Sequence, residues 1–102
     1  MNPEPIRYGI KQETWDRIIA VLRSHPAVES IILFGSRAKG NFRNGSDIDL
    51  CLNGANLTEQ DINALSIALD DLNLPWEIDL LRYMGVKDPA VIEHIDRVGI
   101  VL

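Results

Sequence analysis

The stretch SIILFGSRAKGNFRNGSDIDLCL, Ser30 to Leu52, shows three patterns within 23 residues. Ser30 to Phe34 is short and apolar on both faces, which predicts a strand buried from both sides. Gly35 to Ser46 holds three glycines, three basic residues and two asparagines, and reads as a loop with at most a turn of helix. Asp47 to Leu52 then alternates. Ile48, Leu50 and Leu52 point one way and Asp47, Asp49 and Cys51 the other, because successive strand side chains take opposite faces. The apolar set needs a core, so the two carboxylates are expected on an open face of the sheet.

Upstream, Met1 to Gly9 reads as an irregular lead-in. Trp15, Ile18, Ile19 and Leu22 then form one stripe of an amphipathic helix over Gln12 to Ser24, with Ile10 and Trp15 spaced like a hydrophobic staple. Pro26 stops it. Downstream, Thr58 and Asp61 resemble a capping box opening a helix whose stripe is Ile62, Leu65, Leu69 and Leu72. Asn73 to Pro75 breaks that helix. Trp76 to Leu81 alternates again, Trp76, Ile78 and Leu80 opposite Glu77 and Asp79, which predicts a second acidic-faced strand. A loop at Tyr83 to Lys87 leads to a last helix, capped by Asp88 with Pro89 at its first position and ended by Gly99. Ile100 to Leu102 can add a short terminal strand. The expected fold is α+β with two layers: a mixed β-sheet, helices on one face, and an open acidic face where Asp47, Asp49 and Asp79 gather.

Residues 1–102 are read as one domain, too small to carry a second domain that would grip a macromolecule. The formal charge of −5 leaves no basic stripe, which argues against direct nucleic-acid binding. The longest apolar run, Ile18 to Leu22, is five residues, and Cys51 is a single cysteine, so the expectation is a cytoplasmic chain with no membrane segment.

Two aspartates at i and i+2 on a strand aim at one volume, and a third can join them from a neighbouring strand. Carboxylates so close repel unless a cation intervenes, and hard oxygen donors suit Mg²⁺ or Mn²⁺ better than Zn²⁺. Gly35 and Ser36 supply the complementary half, a turn after a buried strand where a phosphate can approach backbone amides and a hydroxyl. The sequence GSRAKGNFRNGSDIDL resembles the signature of the DNA polymerase beta-like nucleotidyltransferases: Gly-Ser, a spacer, Asp-x-Asp, and a third Asp on a later strand, here in WEIDLL. By size the chain resembles the minimal nucleotidyltransferases, the MntA-type antitoxins that pair with HEPN-domain toxins. The resemblance implies that Gly35 and Ser36 hold the triphosphate, that Asp47 and Asp49 ligate Mg²⁺, and that Asp79 ligates a metal and helps activate the acceptor. It also implies AMP transfer from ATP to a hydroxyl, a tyrosine of a helical HEPN partner, within a hetero-oligomeric type VII toxin–antitoxin pair.

Arg37, Lys39 and Arg43 are placed to contact phosphates or to balance the acidic charge nearby, and Arg37 is the candidate kept as a nucleotide-binding residue. Ser46 is expected to orient the turn into the aspartates. His25, His94, Cys51, Trp15 and Trp76 read as structural. The competing reading is a non-catalytic antitoxin or regulatory nucleotide-binding subunit that neutralises its partner by contact. Transfer to a small molecule or an RNA end is less well matched, for want of a helical acceptor domain and of basic charge.

Overall fold

The computed structural model describes residues 5–102. A four-stranded mixed sheet forms the centre, with strands in the order β5-β4-β3-β6. Here β3 is Ser30–Phe34, β4 is Ile48–Asn53, β5 is Ile78–Arg82 and β6 is Ile100–Val101. β3 runs antiparallel to β4 and β6, while β4 and β5 are parallel. The β4–β5 connection passes through helix α3, Glu59–Asp70, as a parallel crossover requires.

Alternation fixes which face is dry. Ile31 and Leu33 of β3 and Ile48, Leu50 and Leu52 of β4 are fully buried. They share one core with Trp15, Ile18 and Leu22 of helix α1, Gln12–Arg23, and with Ile62, Leu65 and Leu69 of α3. Each fully buried Leu or Ile contributes about 1.5–3 kcal/mol by leaving water, so this face holds the sheet to its two helices. The start of α3 is fixed by the expected capping box: Thr58 Oγ1 accepts from the Asp61 amide at 3.1 Å, and the Thr58 amide donates to Asp61 at 2.9 Å. α3 ends at Asp70, so Leu72 packs half-buried against the core from beyond the helix.

The last helix, α4 (Pro89–Val98), begins as read: Asp88 Oδ1 accepts from the Ala90 amide at 2.9 Å, and Pro89 holds the first position. It packs on the sheet's other side, so the helices are not confined to one face as the sequence reading expects. Ile95 is buried outside the main core, and the ring of His94 meets Phe34 edge-on at 6.1 Å. The short helix α2, Gly35–Lys39, lies beside it.

The lead-in differs from expectation. Met1 to Glu4 lie outside the described residues, but Ile6–Arg7 (β1) and Ile10–Lys11 (β2) form a small antiparallel hairpin. Its two-residue turn is Tyr8-Gly9, with φ of 55° and 78°. Positive φ at both central positions is the hairpin turn that matches strand twist, usually signalled by Asn-Gly or Asp-Gly. A tyrosine at the first position hides that signal. The hairpin is tied down by Trp15 Nε1, which donates to the Arg7 carbonyl at 2.8 Å, and by the buried Ile10.

Candidate active site

The acidic residues meet because the strands are in register. Asp49 lies directly opposite Asp79 across the parallel β4–β5 pair and opposite Phe34 across β3. Aligned residues on adjacent strands point to the same face, so the two carboxyl groups stand side by side. Asp49 is half-buried, whereas Asp47 and Asp79 are exposed, Asp79 on the edge strand. The carboxyl of Asp49 is pushed up to about 6, first by burial, then by the charges of Asp79 and Asp47, with a hydrogen bond to Asp79 adding to it. Such a site lacks positive charge.

The Gly-Ser turn borders these groups. Gly35 follows the last residue of β3 and has φ of 72°, a conformation that favours glycine. A Cβ here would collide with Asp49 Oδ2 and lie 3.0 Å from Asp49 Cγ. The backbone of the turn thus packs directly on the half-buried carboxylate. Ser36 is the second residue of α2, whose first amides have no acceptor within the helix. Ser46 turns the chain into β4, its hydroxyl accepting from the Arg43 amide at 2.8 Å.

Arg37 is the correction. It is 1% exposed, and its guanidinium donates inward: Nη1 to the Tyr8 carbonyl at 2.8 Å, Nη2 to Ser46 at 2.9 Å and Asn44 at 3.2 Å, and Nε to Ser46 at 3.1 Å. It stacks over Phe42 at 5.0 Å and Trp76 at 5.8 Å. A buried guanidinium spent on backbone carbonyls cannot meet a phosphate arriving from solvent. Its role is to clamp the loop of residues 40–46 to the hairpin, and Trp76 joins by donating from Nε1 to the Asn44 carbonyl at 2.9 Å.

His94 was missed as a site neighbour. Its Nε2 accepts from the Gly35 amide at 3.2 Å, across 59 residues of sequence, which no local pattern encodes. The other residues read as structural behave so. His25 accepts from the Ala27 amide and pairs with Asp61 at 3.0 Å. Cys51 is buried, its thiol pushed up to about 11 by burial and the nearby Asp96 charge, which leaves it unreactive.

Among the described residues, no group of three His, Cys, Asp or Glu side chains is arranged to hold a metal ion. The donor chemistry nevertheless fits a hard divalent cation: carboxylate oxygens only, one of them pushed up by burial and then by its neighbours' charge. Mg²⁺ ordinarily completes its shell with water and substrate phosphates.

A mixed sheet carrying paired carboxylates beside a Gly-Ser turn has the donor chemistry that phosphoryl or nucleotidyl transfer calls for. The family described as Polymerase beta, Nucleotidyltransferase matches residues 16–102, and the chain belongs to it. No curated relative matches it. Among solved structures, a toxin–antitoxin complex with AMP-PNP is similar at 25% identity and a TM-score of 0.70, over 84% of this chain and 69% of that one. A variant of the MntA–HpeT toxin–antitoxin pair is similar at 27% identity and a TM-score of 0.70, over 86% and 70%. A tri-AMPylated Shewanella oneidensis HEPN toxin in complex with MNT antitoxin shares the fold at 23% identity and a TM-score of 0.67, over 88% and 69%. No helix among the described residues is long and apolar enough to cross a membrane.

Proposed function

We propose that this nucleotidyltransferase moves AMP from ATP to a hydroxyl, a tyrosine, on a helical HEPN-type toxin partner, and so acts as the antitoxin of the pair. The observation that carries this reading is the contact of Asp49 with Asp79 directly beside Gly35, with Asp47 close enough to act on Asp49 by charge. Similarity to an antitoxin complex with AMP-PNP supports the choice of nucleotide. Similarity to a complex whose HEPN toxin is tri-AMPylated supports the choice of acceptor.

In this reading Ser36, with the Gly35 turn, holds the polyphosphate, and Asp47, Asp49 and Asp79 hold Mg²⁺. When bound, Mg²⁺ would neutralise charge on the phosphates and on the carboxylates that face them. The acceptor oxygen attacks the α-phosphorus, the bond from that phosphorus to the bridging oxygen breaks, and pyrophosphate leaves. Asp79, exposed on the edge strand, takes the hydroxyl proton. Such transfer depends on positioning and charge neutralisation more than on covalent chemistry by the protein. Incubation with the HEPN-type partner, Mg²⁺ and ATP, followed by intact-mass measurement, tests it. Stepwise gain of adenylyl groups is expected; tight association without any mass change would favour neutralisation by contact instead.

A further inference from the structure

The Gly35 amide has an acceptor that the sheet does not provide. β3 pairs with β6 only at Ile32 and Leu33, so no strand continues beside Gly35. α4 passes there, and its His94 fills the gap: its Nε2 takes the Gly35 N–H at 3.2 Å while its ring meets Phe34 at an interplanar angle of 81°. Gly35 is also the residue whose left-handed backbone lies against Asp49. One imidazole therefore holds both residues of the strand-to-turn junction that faces the carboxylates.

We propose that His94 is a positioning residue for triphosphate binding. It fixes Gly35 against Asp49, and by occupying the first amide of the turn it leaves the Ser36 amide and hydroxyl as the donors that meet the phosphates. A phosphate taking the Gly35 amide would have to displace the imidazole. Among the described residues no side chain accepts from the Ser36 amide, and as the second amide of α2 it has no intrahelical acceptor. The inference rests on the reading of this turn as a phosphate cradle.

The test uses the whole chain and His94→Ala and His94→Gln variants, the glutamine carbonyl being able to accept in place of Nε2. Gly35 amide exchange is followed by NMR without ligand, affinity is titrated with AMP-PNP and Mg²⁺, and ATP kinetics are measured with the partner. Loss of one hydrogen bond corresponds to about a five- to tenfold change. In His94→Ala the Gly35 amide should exchange at least about fivefold faster, and Kd and KM should rise about five- to tenfold with kcat within about twofold. His94→Gln should recover most of the affinity, and it carries the test if the alanine variant melts early. Unchanged or tighter AMP-PNP binding in both variants overturns the role of His94 alone. Wild-type protein that binds no AMP-PNP overturns the cradle reading itself, and this inference with it.

Discussion

At the scale of single residues, Asp49 carries the largest electrostatic tension of the site. Its folded-state value of about 6 lies above the ordinary carboxylate range, so the fold favours its protonated form. The stabilising contribution is therefore complete below pH ~4 and is lost as pH rises through about 6. Asp49→Asn removes the ionised form at neutral pH. The metal-free variant should melt no lower than wild type, with a gain on the order of 1–2 kcal/mol at pH 7.5 that vanishes near pH 4, as thermal denaturation at the two pH values would reveal. Destabilisation at pH 7.5 would mean that the carboxylate is a structural tie. Gly35 is a different single-residue constraint. Gly35→Ala adds a methyl into Asp49 at positive φ, so triphosphate affinity should fall at least about tenfold, and the fold should lose about 1–3 kcal/mol. Calorimetric titration and a urea melt separate the two effects. Unaltered affinity for AMP-PNP would detach the turn from the ligand.

At the scale of elements, Arg37 joins the hairpin β1–β2, helix α2 and the loop before β4. Arg37→Ala leaves the half-buried carbonyls of Tyr8 and Ser46 without this donor and removes the cation stacked on Phe42 and Trp76. A loss of about 2–4 kcal/mol is expected in chemical denaturation, and Arg37→Lys should rescue little, since an ammonium cannot reproduce the fork. Near-native stability in the alanine variant would contradict the clamp. This is also where sequence reasoning and structure part. Alternation exposed β4 and β5, and with them the common side of Asp49 and Asp79, because period-two patterning is a local property. The capping residues Thr58 and Asp88 were legible for the same reason. The destination of Arg37 was not: a basic residue two positions after a Gly-Ser turn looks the same whether it faces a phosphate or the protein interior. Nor could His94 be assigned to Gly35, since that contact depends on where α4 lands after an edge strand ends. The hairpin escaped notice because Tyr8 adopts a backbone conformation usually left to glycine or asparagine.

At the scale of the whole molecule, the parallel β4–β5 pair sets the geometry of the candidate site. It places one half-buried and one edge carboxylate level with each other, and antiparallel β3 delivers the glycine turn to the same end. Asp79 lies exposed on the outermost strand of the sheet, and in the proposed reaction it serves the acceptor rather than the nucleotide. Asp79→Asn should therefore retain AMP-PNP binding within about threefold while turnover falls at least about a hundredfold, in keeping with the loss of a general base. Turnover at the wild-type rate would remove Asp79 from the reaction. The measurement that bears most directly on the site as a nucleotidyl-transfer centre follows the label from ATP to the helical partner in the presence of Mg²⁺. Label in the α-phosphate should be retained on the partner and label in the γ-phosphate should leave in pyrophosphate; retention of the γ-label instead would contradict the account.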